Sequence, residues 1–505
     1  MFNQKILCIG NETEDTDFMV TDLAKLSDTV NHGLINDVSS VVDQVGYYHT
    51  SVLDLSPGSI VQIADKFDSI VLLDQSKESY PHFKSFVTTV RLLYDLEAQG
   101  VNVTYKNNKS AVDLLYWRNF LKENKSFCCW PFVGLVADDG NVTVCGKSTT
   151  PITKLKGMID WATDPAYATV RNNMIAGKTM PNLCRDCYSR EAEGLESARQ
   201  FETLEWLERL SINSLDDLKK IKSPLLYELR PSNKCNIMCR TCDNDHSHLI
   251  EREWKKFNIP LVTIKTFNND VYDYINFDVA QRIYVGGGEP TVMPEFYTFL
   301  EKCIELGRTD FELLIGTNAL KFSNKLLGLL DHFSHVDFAV SIDGYKKVND
   351  YIRWGTDFNT IAKNTRILRD RGHKISLQTV FSMYNITSIH EIFEFYDREL
   401  PDSSLLVQPA EGLGSIYMPY NHPRPDLVLE SMRKCQDTKI YYMNGRSIKS
   451  MVDAVISHYS DPNYTVNVDL LRKFYEFNGK LDLARNCRLE DYIPELEELR
   501  KTYGI

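Results

Sequence analysis

The sequence predicts an α/β protein built round a partial (β/α)6 barrel at residues 223–410. An α/β N-terminal domain (1–120), a small cysteine-rich hairpin domain (121–200) and a helical linker (201–222) precede it. A helical C-terminal region (411–505) follows. Three observations carry this reading. Six short apolar segments alternate with helical ones through 223–410. An Asp-Gly turn joins two apolar stretches among cysteines near residue 140. The charge and hydropathy are those of an ordinary globular chain.

The N-terminal domain opens with a strand candidate, KILCIG (5–10), and a helical pattern from Asp17 to about Val30. SIVLLD (69–74) is the next strand and His82 to about Gln99 a long amphipathic helix. Gly100 ends that helix, and VNVTY (101–105) is a further strand. Strands alternating with helices favour a parallel sheet covered on both faces. No GxGxxG or Walker pattern occurs there, so this domain is expected to dock or recognise rather than to bind nucleotide.

In the second domain, FVGLVA (132–137) and VTVCG (142–146) flank Asp138-Asp139-Gly140-Asn141, the signature of a tight hairpin. A Pro181-led loop carrying two cysteines comes next. A helix from Gly194 onward, EGLESARQFETLEWLERL, leads into the barrel.

The barrel strands are LLYELR (225–230), RIYVGG (282–287), FELLIG (311–316), VDFAVSID (336–343), KISLQTVF (374–381) and SLLVQP (404–409). In such a fold chemistry sits at the C-terminal ends of the strands. Residues 411–505 read as helical and without a motif.

Composition narrows the function. The 505 residues are 43% hydrophobic and 25% charged, with Lys+Arg 57 against Asp+Glu 69 and a net charge of −12. An acidic chain without a Lys/Arg run is a poor phosphate-backbone binder, so no nucleic-acid partner is expected. No apolar run reaches the ~18–20 residues of a membrane span. The start, MFNQKILCIGNETED, lacks the pattern of a signal peptide. The expected compartment is the cytoplasm. Twelve cysteines there are expected to be metal ligands or buried thiols rather than disulfide partners.

Cys235, Cys239 and Cys242 form C-x3-C-x2-C just after the first barrel strand. At 12 cysteines in 505 residues, chance gives this spacing in under ~1% of such chains. The polar neighbours Asn236, Arg240, Thr241 and Asp243 mark a loop. A zinc site would need a fourth ligand, from His246 or His248. An iron–sulfur cluster takes thiolates, and three of them on four irons leave one iron open to a small molecule.

Further motifs stand at successive strand ends. Gly286-Gly287-Gly288-Glu289-Pro290 ends the second strand and Thr317-Asn318 the third. Ser341-Ile342-Asp343-Gly344 ends the fourth, with Arg353 twelve residues after Ser341. Together with the triad this set resembles the radical S-adenosylmethionine (SAM) superfamily. The resemblance implies a SAM-binding 4Fe–4S cluster on Cys235, Cys239 and Cys242. It implies a SAM site at Gly287, Gly288, Glu289, Pro290, Asn318, Ser341, Asp343 and Arg353. Glu289 and neighbouring backbone would hold the amino group, and Ser341 and Arg353 would meet the ribose and carboxylate. Thr241 stands where the family usually has an aromatic residue near the adenine, so adenine contacts must come from elsewhere. The implied reaction is reductive SAM cleavage to a 5′-deoxyadenosyl radical that abstracts hydrogen from the substrate. A reductase, flavodoxin or ferredoxin would donate the electron.

Cys128, Cys145, Cys184 and Cys187 form a second set, with Cys145 on the second hairpin strand and Cys129 competing with Cys128. Phe127-Cys128-x2-Pro131-Phe132, Asp139-Gly140-x3-Val144-Cys145 and Pro181-x2-Cys184-x2-Cys187 resemble the SPASM/twitch domains of many radical SAM enzymes. Glu191, Gly194, Ser197 and Arg199 follow as they often do there. The resemblance implies an auxiliary 4Fe–4S cluster, placed before the barrel rather than after it. Four thiolates at this spacing also suit structural zinc. Cys8, Cys303 and Cys435 are isolated and read as ordinary thiols, while Cys487, beside Arg488 in LARNCRLEDYIPEL, leaves a ligand role open.

The family resemblance implies a peptide or protein substrate; the alternatives are a small sugar or nucleoside derivative, or a non-catalytic iron–sulfur sensor. The 120 residues ahead of the barrel suit a macromolecular substrate, which needs surface beyond a barrel mouth.

Overall fold

The computed structural model describes residues 6–9, 47–50, 69–72, 102–105, 109–138, 141–148, 150–154, 161–192, 197–212, 214–262, 271–400, 404–410, 416–436 and 449–503. The chain divides into two compact units. One comprises Met1–Phe132, Thr169–Ile221 and Asn444–Ser447; the other comprises Val133–Ala168, Lys222–Met443 and Ile448–Ile505.

The first unit holds a four-stranded parallel sheet of β1 (Ile6–Ile9), β2 (Tyr47–Thr50), β3 (Ser69–Leu72) and β4 (Asn102–Tyr105), in the order β2-β1-β3-β4. Three of these lie inside the expected strands. β2, YYHT, lacks an apolar run and was not expected. The helices expected at 17–30 and 82–99 lie outside the described residues. Helices Lys109–Glu123, Pro181–Ala192, Ala198–Arg209 and Leu215–Lys219 lie in the same unit. Helix Ala198–Arg209 starts at Ser197, whose side chain accepts from the Gln200 amide while Gln200 returns a bond to the Ser197 amide, a reciprocal cap. Gly194 lies outside the described residues.

The second unit is built on one nine-stranded sheet. Its strands are β5 (Gly134–Asp138), β6 (Asn141–Thr143), β7 (Thr153–Lys154), β8 (Leu226–Arg230), β10 (Arg282–Val285), β11 (Glu312–Thr317), β12 (His335–Ser341), β14 (Lys374–Phe381) and β15 (Ser404–Pro409). The sheet order is β15-β14-β12-β11-β10-β8-β5-β6-β7. The six expected barrel strands run parallel and in series, with helices between them. Their buried residues, such as Leu226, Leu229, Ile283, Val285, Leu313 and Ile315, pack the core, while polar side chains alternate with them along the strands.

The hairpin is sewn onto this sheet. β5 pairs parallel with β8, Gly134 opposite Leu226, while β6 returns antiparallel with Asn141 opposite Asp138. The connecting Asp139-Gly140 lies outside the described residues. Four of the five β5 residues are buried, and pairing with β8 covers this apolar edge. β6 ends at Thr143, so Cys145 falls in the bend after the strand rather than on it. Lys147 Nζ, just beyond, donates to Gln408 Oε1 on β15 at 3.2 Å. β15 and the hairpin stand at opposite ends of the strand order. That bond therefore requires the sheet to curl round towards itself, the shape of a partial barrel.

Helices Pro425–Cys435, Lys449–Tyr459, Val468–Arg485 and Pro494–Thr502 form the C-terminal region. Helix 468–485 is capped by the Asn467 side chain and stopped by Asn486 in the left-handed conformation. Among the described residues no helix is long and apolar enough to cross a membrane.

Candidate active site

The cysteine triad lies on the loop leaving β8. Within it a two-residue strand, β9 (Met238–Cys239), pairs antiparallel with β13 (Arg353–Trp354), Cys239 opposite Arg353. The Arg240 amide donates to Ile352 O at 2.7 Å. The loop's ends are tied by His248 N to Asn233 O at 2.9 Å and Cys235 N to His248 Nδ1 at 3.2 Å. The Cys239 and Cys242 thiols hydrogen-bond to each other, which lowers Cys239 and raises Cys242. Burial pushes the Cys235 thiol up to about 12. The Arg353 guanidinium favours the thiolate at all three.

The polar neighbours of the triad do not all face water. Arg240 is 1% exposed, so the segment is a packed loop and not the solvated one that its composition suggests.

The glycine turn after β10 lies directly on the start of this loop. Gly288 N donates to Ser232 O at 2.9 Å and Glu289 N to Lys234 O at 2.7 Å. Gly287 has φ +96°, and a Cβ there would stand 2.6 Å from Ser232 O. A Cβ on Gly288 would stand 2.2 Å from Lys234 O, so neither position admits a side chain. Glu289 is buried, and its carboxylate ties β10 to β11. Oε1 accepts from Thr291 N at 3.2 Å, Thr291 Oγ1 at 2.7 Å and Thr317 Oγ1 at 2.7 Å; Oε2 accepts from Asn318 N at 2.6 Å. Burial raises its pKa, and those four donors oppose the rise. Pro290 opens the short 3-10 turn that follows. Asn318 Nδ2 continues the network to Asn236 Oδ1 in the cysteine loop at 2.8 Å.

At the next strand end, Ser341 is half-buried at the close of β12. Asp343 is buried. Its Oδ2 accepts from Arg353 Nη1 at 2.8 Å, and its Oδ1 accepts from Val380 N on β14 at 2.7 Å. Arg353 is buried too, and its Nε has no hydrogen-bond partner.

Inside the sheet, Tyr284 on β10 lies against Gly286 and Gly316; a Cβ at 316 would fall 2.6 Å from the Tyr284 hydroxyl. Burial raises this phenol to about 12. Beside it Glu228 accepts from Arg230 Nη2 at 2.8 Å, and Arg230 Nη1 reaches Asp138 at 3.5 Å.

The second cysteine set is divided between the units: Cys128, Cys184 and Cys187 in one, Cys145 in the other. Cys184 and Cys187 sit on helix 181–192, not on a loop, with Cys184 at a non-helical kink. Burial raises Cys184 to about 11, and Cys187 upward as well. The Glu191, Ser197 and Arg199 pattern is a clamp. Arg199 donates to Glu191 from Nε at 2.9 Å and from Nη2 at 2.7 Å, and to Phe127 O from Nη1 at 2.8 Å. Its amide bonds the Cys187 thiol. Arg199 thus joins the backbone before Cys128 to the helix bearing Cys187. Cys129 Sγ donates to Glu202 O at 3.5 Å, away from this group. Among the described residues no three His, Cys, Asp or Glu side chains converge to hold a metal ion.

Reasoning from sequence missed Arg240, Asn236, Tyr284 and the C-terminal residues that meet the cysteine loop. Only the position of Arg240 and Asn236 inside the triad could have signalled them.

Residues 229–396 match the model of the radical SAM superfamily. The Mycofactocin maturase MftC of Mycobacterium tuberculosis is 22% identical over 213 residues, 41% of this chain and 50% of that protein. An uncharacterized protein of Methanothermobacter thermautotrophicus is 31% identical over 114 residues, 22% of this chain and 43% of that one. The chain therefore spans about half or less of the length of these curated relatives. Among solved structures, Streptococcus suis SuiB bound to precursor peptide SuiA is similar at 15% identity with a TM-score of 0.29, covering 66% of this chain and 64% of that one. Native anSMEcpe with bound AdoMet is similar at 18% identity with a TM-score of 0.33, covering 42% and 60%. The cysteine loop, the glycine turn and the strand-end network all fall within residues 229–396, the part of the chain that matches the radical SAM superfamily.

Proposed function

We propose that this chain is a radical SAM enzyme that acts on a peptide or protein, using one cluster in the barrel and a second on the cysteines that flank the hairpin. The observation that carries the site assignment is the convergence of Arg353, the triad and the glycine turn on one loop. The residues fit the group. Three thiols stand under the influence of one buried guanidinium. The turn at 287–288 is closed to any Cβ, and Arg353 retains a buried donor without a partner. Cys235, Cys239 and Cys242 would hold a 4Fe–4S cluster, whose chemistry with SAM is reductive cleavage that starts hydrogen abstraction. Each thiolate of such a cluster sits on its own iron, so the three need not converge on a single ion.

In this reading Gly287 and Gly288 present backbone to SAM, Arg353 offers Nε to its carboxylate, and Ser341 and Asn318 face it from the neighbouring strand ends. Glu289 holds the strand ends together through its four bonds. Cys128, Cys184 and Cys187, with Cys145, are the ligands of the second cluster, and Cys129 is committed to Glu202.

The substrate reading rests on the first unit. It spends a separate parallel sheet on something other than the barrel, which a small metabolite enclosed in a barrel mouth does not need. The MftC relative, by its name a maturase, points the same way. The test is anaerobic reconstitution with SAM and reductant. The full chain should yield 5′-deoxyadenosine, and Cys239→Ala should not. Removing residues 1–108, which spares helix Lys109–Glu123 and its buried Trp117, should leave uncoupled SAM cleavage and abolish substrate modification. A soluble truncation that still turns over the true substrate sinks the macromolecular reading.

A further inference from the structure

We infer that the C-terminal helix 468–485 belongs to the cluster site, with Arg240 and Asp482 as a positioning pair of opposed charges behind the cysteine loop. The inference rests on the proposed reading of Cys235, Cys239 and Cys242 as cluster ligands.

Arg240 follows Cys239 directly, yet its side chain turns into the protein and spends its donors on the C-terminal region. Nε donates to Tyr351 O at 2.9 Å and Nη1 to Asn478 Oδ1 at 3.3 Å. Nη2 donates to Asp482 Oδ1 at 2.6 Å and to Cys487 Sγ at 3.2 Å. The guanidinium stacks on the Tyr351 ring at 3.6 Å, and the Tyr351 hydroxyl donates to Asp482 at 2.9 Å. Around it, Met238 and Cys242 pack against Trp254 and Leu481. A second buried pair pins the same helix, Arg485 donating to both Glu253 oxygens at 2.9 and 2.8 Å.

This is more than one surface helix resting on a loop. An Arg fork is a rigid donor array, and burying it demands a complete set of acceptors. Every one of those acceptors lies in the segment 351 or at 478–487, more than a hundred residues from the triad. The loop that carries three ligands thus depends on the C-terminal helix for its shape. The pair also fixes two opposite charges in a low-dielectric region next to Cys239. Cluster reduction adds negative charge, and net charge close by is one of the levers on its potential.

The sign of the effect tests this. Full-length protein is reconstituted anaerobically as wild type, Arg240→Met, Arg240→Lys, Asp482→Asn and Tyr475→Phe. Iron content, midpoint potential and the reduced-state EPR spectrum with and without SAM are measured. Asp482→Asn leaves the arginine charge uncompensated and should raise the potential. Arg240→Met leaves the aspartate uncompensated and should lower it. Arg240→Lys keeps the charge and loses the fork. It should hold the potential near wild type yet lose iron to a chelator roughly tenfold faster, the scale of one or two charged hydrogen bonds. Tyr475→Phe, on helix 468–485, removes a bond to Leu496 O of helix 494–502, remote from the loop, and should change neither. General loosening cannot move the two charge variants in opposite directions. Shifts of the same sign, or none, in clusters of wild-type iron content overturn the inference and leave the cluster reading intact. A wild type that takes up no iron overturns both. Should Arg240→Met not fold, Asp482→Asn and Arg240→Lys decide: the first removes the carboxylate charge together with one acceptor, the bond from Leu489 N or that from Arg240, and the second keeps the charge and changes only geometry.

Discussion

Asp343 and Arg353 hold one another at 2.8 Å in the interior, and Arg353 stands opposite Cys239 across a two-residue antiparallel pairing. One guanidinium thereby links the end of the fourth barrel strand to the middle of the cysteine loop. The family resemblance gives both residues to SAM directly. The structure gives them first to each other, with one donor of Arg353 left over. Asp343 also receives the Val380 amide, so it fixes the spacing of β12 and β14 at the site.

Arg353→Ala is therefore expected to cost stability as well as SAM affinity. It leaves a buried carboxylate without its cation, a change worth about 3–5 kcal/mol. Asp343→Asn with Arg353→Met removes both charges and should recover much of that loss while SAM binding stays weak. Urea unfolding and SAM titration separate the two quantities. An Arg353→Ala protein with wild-type unfolding and wild-type affinity refutes the assignment.

Glu289 is the acceptor for four donors on three residues, Thr291, Thr317 and Asn318. Glu289→Ala leaves those donors buried without a partner, at ~1–3 kcal/mol for each one that water does not reach. The expected result is a large drop in the urea midpoint. Glu289→Gln keeps one oxygen and should fall between. If both variants unfold like wild type, the strand-end tie is not structural.

Much of this site was legible beforehand because its elements are local. The segments KISLQTVF and SLLVQP match β14 and β15 residue for residue, since their β-branched and apolar residues between turn signals mark strands. The triad and the glycine turn are close in sequence and constrained by chemistry. What sequence could not show is the long-range partnership. Nothing in RTCD at 240–243 reveals that Arg240 is buried against residues 478–487, because a polar side chain in a loop reads as solvated. VTVCG alternates and so reads as a strand through Cys145, but pairing stops at Thr143, opposite Val136 on β5. The helix under Cys184 and Cys187 was hidden by Pro181, which serves as its first residue rather than as a break.

Gly316 is expected to be needed for the Tyr284 hydroxyl. Gly316→Ala sets a methyl 2.6 Å from that oxygen, an overpacking cost of about 1–3 kcal/mol. Tyr284→Phe in the same chain removes the oxygen and should restore most of it. A double-mutant cycle in urea checks the coupling. Additive effects would mean that the phenol moves aside at no cost.

His422 supplies a pH dependence. It is buried, its Nδ1 accepts from Arg424 N at 3.2 Å, and its Nε2 has no hydrogen-bond partner. Burial lowers the ring to about 3. The unfolded ring titrates near ~6.5, so below that pH the unfolded state binds a proton that the folded state refuses. This stability is present above ~6.5 and is lost as pH falls towards 3, by about 2 kcal/mol between pH 7 and pH 5. His422→Gln should flatten that slope. An unchanged slope in the variant assigns it to other groups.

Metal count separates the two cysteine sets. The triad sits in the loop joined to Arg353, while Cys187 is bonded by the Arg199 amide and Ser197 on a different element. The sets share no residue, so loss of one need not cost the other. Two four-iron clusters require about eight irons per chain. Replacing Cys184 and Cys187 together by Ala should remove about half of them and leave SAM cleavage to 5′-deoxyadenosine measurable. Replacing the triad should remove the other half and abolish cleavage. Tetrahedral zinc on Cys128, Cys145, Cys184 and Cys187 gives a different signature: about four irons and one zinc in wild type, with the zinc leaving when Cys184 and Cys187 are changed. Cys129→Ala is the control within this set. Its thiol is taken by Glu202 O, so iron and zinc should both stay at wild-type levels. If instead Cys129→Ala loses the second metal and Cys128→Ala keeps it, the ligand is Cys129, and the Glu202 bond must break when metal binds.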